Sequence, residues 1–111
     1  MNLRQAWCRE TAHPSYQADW SEDNPAYGQC AVTALVMQEI IGGKIYECTI
    51  CKKKHFYNVT PDGQKHDFTQ EQFKGLIIAP SRMRERTRES LLKVENVKER
   101  YELLKSRIFE N

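Results

Sequence analysis

Three residues are of the types that cysteine-dependent acyl chemistry uses: Cys30, His55 and Asp67. A nucleophilic cysteine needs a base, and the base needs an orienting group. Cys30 follows the turn-rich stretch Asn24-Pro25-Ala26-Tyr27-Gly28-Gln29. It opens an apolar run in which only Thr33, Gln38 and Glu39 are polar up to Ile41. Pro25 and Gly28 punctuate the lead-in, and Gly42-Gly43 end the run as a left-handed helix cap does. The pattern predicts a buried helix over 28–41 with Cys30 in its first turn. First-turn N–H groups have no intrahelical partner, and the helix dipole adds partial positive charge there. A thiol held at that end is stabilised as the nucleophilic thiolate. The competing reading is a small hydrophobe in a core, since free cysteine is among the most buried residue types.

The base must come from His13, His55 or His66. Residues 44–51 and 55–60 are rich in β-branched and aromatic side chains, so they read as two strands joined across Lys52-Lys53-Lys54. A third, shorter strand covers about 64–68. Thr60-Pro61-Asp62-Gly63 suits a type I turn followed by a left-handed glycine, the three-residue hairpin loop with a bulge. That loop pairs Thr60 with Gln64 and sets Tyr57 opposite Asp67. Paired residues share a face, as do residues two apart. His55, Tyr57 and Asp67 then point the same way. A two-residue loop at Asp62-Gly63 would put Asp67 on the other face.

The rest of the chain frames this core. Leu3, Ala6 and Trp7 fall at helical spacing, so 2–10 reads as a short helix. Residues 11–23 keep no period, and Trp20 is expected to pin this loop to the core. Thr69-Gln70-Glu71-Gln72 matches a capping box that starts a short helix with Phe73 inward. Leu76-Ile77-Ile78-Ala79 reads as extended. The charged segment from Ser81 to Glu89 is left unassigned. Val97, Tyr101, Leu104 and Ile108 step by four, three and four, which predicts an amphipathic helix over 96–109. One domain over 1–111 is expected, with 24–70 as the cysteine helix and three strands.

Net charge is +2 in 111 residues, so no strong field toward nucleic acid or membrane is implied. The charge is uneven: residues 1–51 carry three Lys/Arg against six Asp/Glu, and the basic excess lies beyond them. No apolar run approaches the ~20 residues of a membrane span. Arg4, Gln5, Arg9 and Glu10 interrupt any signal-peptide core. The expectation is a cytoplasmic protein with reduced thiols.

Cysteine at the start of a buried helix, then histidine on a strand, then aspartate on the next strand, resembles the papain-like and transglutaminase-like cysteine enzymes. The fuller string also resembles the YunG-like family of small bacterial proteins. That string comprises Trp20, Asn24 to Leu35, Gly42-Gly43-Lys44-Ile45, His55-Phe56-Tyr57-Asn58, Asp62-Gly63, Asp67-Phe68-Thr69, Gln72-Phe73 and Arg100-Tyr101-Glu102-Leu103-Leu104. The first resemblance implies an α+β fold, a central helix packed on a small antiparallel sheet with N-terminal and C-terminal helices. It implies Cys30 as nucleophile, His55 as acid and base, and Asp67 as orienter, with no cofactor. It also implies an amide side chain six residues before the cysteine as oxyanion donor. Asn24 stands there in place of the usual Gln, and Gln29 is a second candidate. Trp20, Tyr27 and Tyr57 are expected to line the site. A small molecule or peptide with an amide or thioester is the expected substrate. A non-catalytic binding protein on the same fold is the alternative.

Two other patterns compete. Cys48-Thr49-Ile50-Cys51 with His55, completed by Cys30 or His66, has metal-knuckle spacing. Against it, residues three apart on a strand face opposite ways. Arg82, Arg84, Arg86 and Arg88 alternate. They could grip phosphate or an acidic partner, but Glu85 and Glu89 dilute the charge and favour a solvated face.

Overall fold

The computed structural model describes residues 2–76 and 79–110. It is a mixed α and β structure with one four-stranded sheet. The apolar run after Cys30 forms helix α2 (Cys30–Ile41), preceded by the single-turn α1 (Leu3–Ala6). Val32 to Met37 are buried, and Gly42 ends the helix at φ 73°. Trp7 takes extended backbone, so the expected helix over 2–10 stops at Ala6 and resumes only as a 3-10 turn, Arg9–Thr11. A second 3-10 turn, Pro14–Asp19, occupies the stretch read as loop.

β1 (Lys44–Ile50) and β2 (Lys53–Val59) form an antiparallel hairpin in which Cys48 faces His55 and Tyr46 faces Tyr57. The turn is Cys51-Lys52, not the lysine triplet. Both turn residues have positive φ, 52° and 66°. That is the mirror-image two-residue turn whose twist matches the flanking strands. Lys53 and Lys54 therefore belong to β2, opposite Ile50 and Thr49. β3 is only Lys65–His66, pairing Asn58 with His66 and Val59 with Lys65. The Thr60 N–H reaches the Gln64 carbonyl at 2.9 Å and the Gly63 N–H reaches Thr60 at 2.8 Å. Gly63 sits at φ 87°. This is the register of the three-residue loop.

The charged segment forms β4 (Ser81–Arg86), which pairs with the free edge of β1 and gives the order β3-β2-β1-β4. Thr69 makes no side-chain cap; a 3-10 turn, Gln70–Phe73, follows it, and Gln72 donates its amide to the Thr69 hydroxyl at 3.1 Å. Ile77 and Ile78 lie outside the described residues. α3 (Arg88–Leu92) leads to α4 (Val97–Phe109). α4 packs on α2, burying Val97, Tyr101 and Leu104 with Leu35, Val36, Ile45 and Phe56 in one cluster. Cys48, Ile50 and Tyr57 form a smaller cluster under Phe73. Among the described residues no helix is long and apolar enough to cross a membrane.

Candidate active site

Cys30 is the first residue of α2, and Gln29 before it makes no side-chain cap. The first-turn N–H groups therefore stay open beside the thiol. The preceding loop is fixed from two sides. Gly28 sits at φ 76°, where an added Cβ would lie 2.9 Å from the Tyr16 ring. Its carbonyl accepts the His13 N–H at 2.9 Å. Gln72 clamps the other side: its Oε1 accepts the Gly28 N–H at 3.3 Å, and its carbonyl accepts the Asn24 amide at 3.1 Å. Gln29 is fully buried and donates to the Cys8 carbonyl at 2.9 Å, while its Oε1 has no partner among the described residues. Both amides considered as oxyanion donors thus hold backbone.

His55 is buried on β2, with the Phe73 ring edge-on at 5.2 Å. Its Nε2 lies 2.6 Å from Asp67 Oδ2. The other Asp67 oxygen accepts the Thr69 N–H at 3.3 Å, so the carboxylate is held at both ends. Among the described residues the one side-chain hydrogen bond of the ring is that to Asp67; Cys30 lies near enough to act on the ring's charge. Burial alone would depress the His55 pKa. The Asp67 hydrogen bond and charge, with Cys30 nearby, outweigh it and raise the value to about 9. The imidazole therefore carries its proton at neutral pH.

The structure joins His55 to Asp67 and leaves Cys30, on a third segment, close enough to influence the ring's charge. The expected lining residues fare differently. Trp20 is half-buried, donates to the Pro25 carbonyl at 3.0 Å, and borders a different hollow with Trp7 and Arg9. Tyr27 stacks on Tyr16 at 4.9 Å, one layer behind the cysteine. Tyr57 shares the His55 face but stacks on Tyr46 at 5.8 Å, with Lys65 over its ring.

All four cysteines are free: Cys48 is buried, Cys51 is exposed on the hairpin turn, and Cys8 and Cys30 lie between. Burial pushes the Cys48 thiol up. Among the described residues no group of three or more His, Cys, Asp or Glu is placed to hold a metal ion. Arg82 and Arg84 of the arginine stripe are exposed, as a solvated face requires, while Arg86 and Arg88 are half-buried. Arg84 and Arg86 grip the buried Glu47 at 3.1 and 2.7 Å. Arg88 bonds the Leu35 carbonyl at 2.8 Å and Tyr101 at 2.7 Å.

A cavity of about 320 Å³ opens beside Cys30, with His13, Tyr16, Phe56, Leu91 and Arg100 among its walls. His55 does not line it; it borders a small hollow of about 60 Å³ with Asp67, Cys48 and Phe73. Cys30 lines the first and not the second. Sequence reasoning passed over Arg100, yet a signal was present. Val97, Tyr101 and Leu104 define the apolar face of α4, and Arg100 sits inside that face at helical spacing.

The chain belongs to the YunG family: the family model described as YunG protein matches residues 1–111. A relative from Bacillus subtilis (strain 168), carrying the name Uncharacterized protein YunG, is 41% identical over 75 residues. The match covers 68% of this chain and 60% of that protein, so the chain spans less than two thirds of that relative's length. No solved structure matches the chain.

Proposed function

We propose that this chain carries out cysteine-dependent acyl chemistry, hydrolysis or transfer, on an amide or thioester. The observation that carries the reading is the 2.6 Å bond from His55 Nε2 to the nearly buried Asp67 carboxylate, with Cys30 at an uncapped helix start near enough to act on the ring's charge. In this reading the Cys30 thiolate attacks the carbonyl carbon, and the oxyanion that forms is met by the first-turn N–H groups of α2. Asn24 and Gln29 hold the loop that presents them. The C–N or C–S bond then breaks as the His55 imidazolium gives its proton to the leaving amine or thiol. The acyl group stays on Cys30 as a thioester. Neutral His55 takes a proton from water or an acceptor nucleophile, whose attack frees the acyl group and restores the thiolate–imidazolium pair. Asp67 keeps the ring in the one orientation that serves both steps. The papain-like or transglutaminase-like grouping belongs to this proposal and draws on the order of the three residues along the chain.

Thiol mapping tests it. At neutral pH Cys30 is expected to react with iodoacetamide faster than Cys8, Cys48 or Cys51, and His55→Ala to slow it. Incubation with p-nitrophenyl acetate is expected to leave an acetyl group on Cys30, found by mass spectrometry. Equal labelling of the accessible thiols, or no labelling of Cys30 before unfolding, would favour the non-catalytic alternative.

A further inference from the structure

We propose that Arg100 holds an oxyanion group of the acyl substrate, a carboxylate or a phosphate, in the cavity beside Cys30. The substrate role rests on the acyl reading above; the anion site itself rests on the cavity.

Arg100 is only 6% exposed. A buried arginine is ordinarily matched by a carboxylate, because an unpaired charge is costly away from water. No Asp or Glu among the described residues comes within ion-pair distance of it. One of its nitrogens donates to the Thr11 carbonyl at 3.1 Å, and its Nε has no partner among the described residues. A guanidinium has five donors in a planar fork, so this one is largely unspent where it borders the cavity.

The other walls repeat the same sign. No Asp or Glu lines the cavity, whereas Lys53, Lys54 and Arg86 do. Arg86 is neutralised by Glu47 at 2.7 Å, so the uncommitted positive charge belongs to Arg100 and the two lysines. Lys53 lies over the Tyr16 ring at 4.7 Å, at the cavity wall. Burial, and then the Arg100 charge, push the His13 pKa down. Burial also works against the charge on Arg100, and Cys30 is close enough to act on it. An anion in the cavity would relieve that cost and complete the fork, since arginine binds carboxylate and phosphate through two parallel hydrogen bonds. Phe56 and Leu91 give the same cavity an apolar side, which suits the carbon body of an acyl compound. About 320 Å³ falls in the size range of small-ligand pockets.

Two measurements test this. In nitrogen-15 spectra of the whole chain, titrated acetate or inorganic phosphate is expected to shift the Arg100 Nε–H signal saturably. A response to acetate alone assigns a carboxylate, and to phosphate alone a phosphoryl group; no response to either overturns the proposal. Separately, Cys30 labelling by iodoacetate is compared with labelling by neutral iodoacetamide, with exposed Cys51 as the internal reference. The iodoacetate preference at Cys30 is expected to exceed that at Cys51 about tenfold, the size of a charged hydrogen bond. Arg100→Gln is expected to remove most of the excess and Arg100→Lys to keep part of it; what remains belongs to His55. Arg82→Gln, on an exposed arginine that does not line the cavity, is expected to leave the preference unchanged. An Arg100 shift with Cys30 inert to both reagents keeps the anion site and removes the acyl reading. A reactive Cys30 with no Arg100-dependent preference and no Arg100 shift does the reverse.

Discussion

Asp67, just past the end of β3, and Glu47, on β1, are two nearly buried carboxylates, their side chains 10% and 9% exposed, and each meets a cation on a neighbouring segment. Asp67 meets an imidazole and Glu47 meets two guanidiniums. The hydrogen-bond lengths are alike, 2.6 and 2.7 Å. The chemistry is not. A guanidinium keeps its proton at any pH the fold survives, so the Glu47 pair is a fixed tie between β1 and β4. An imidazole can give its proton up and take it back, which is what the acyl chemistry proposed above asks of the Asp67 pair. One edge of the sheet is fastened and the other is poised, although both are built from a carboxylate and a cation across strands.

The largest way to separate them is Asp67→Asn. The fold should persist, while acyl turnover on a p-nitrophenyl ester should fall by about 100-fold to 1,000-fold, because the amide lets His55 take the wrong tautomer. Unchanged turnover would detach Asp67 from the site.

Stability against pH should differ in sign. The folded pKa of His55, about 9, lies above its ordinary 6.5. Its contribution is complete below about 6.5 and fades as pH rises through about 9, a loss of roughly 3 kcal/mol for so buried a group. For Glu47 burial acts to raise the value, but hydrogen bonds from Arg84 and Arg86 hold it below the ordinary one. Its contribution is complete above the ordinary carboxyl range and fades as the solution turns acid. Urea titrations between pH 6 and 10 should show a fall in wild type that Asp67→Asn flattens and Glu47→Gln leaves in place.

Glu47→Gln should lower stability by about 2 kcal/mol at neutral pH, less than for a fully buried pair, because the Arg84 side chain is 63% exposed and water takes up its charge. Turnover on the neutral ester should fall far less than with Asp67→Asn, since Glu47 touches the cavity beside Cys30 only through Arg86. An equal loss of turnover would mean that the two edges are not separable. The smallest effect is expected at Gly63→Val. An added Cβ there meets nothing within 4 Å, so only the left-handed backbone is penalised, by roughly 1–2 kcal/mol. A shift in the denaturation midpoint without a change in slope would agree.

Much of the poised edge was legible along the chain. Pro61-Asp62-Gly63 specifies a loop whose backbone angles admit one register, and that register decides which face Asp67 takes. The apolar run after Cys30, stopped by Gly42-Gly43, sets a helix and places the thiol at its start. These features are local: each depends on neighbours a few residues away. The fastened edge was not legible. An alternating Arg and Glu stretch has the period of a strand but the composition of a solvated segment. It becomes β4 by pairing with the open edge of β1, where Arg84 and Arg86 meet the buried Glu47. Those contacts join residues 37 and 39 positions apart. The cavity is of the same kind, its walls drawn from the Gly28 loop, β2, β4 and the turn from α3 into α4. Local backbone preference determined the helix that Cys30 opens and the hairpin register that turns Asp67 to the His55 face. Only tertiary packing decided that Arg100 would be buried without a carboxylate beside Cys30, because burial is a property of what surrounds a residue and not of its place in the chain.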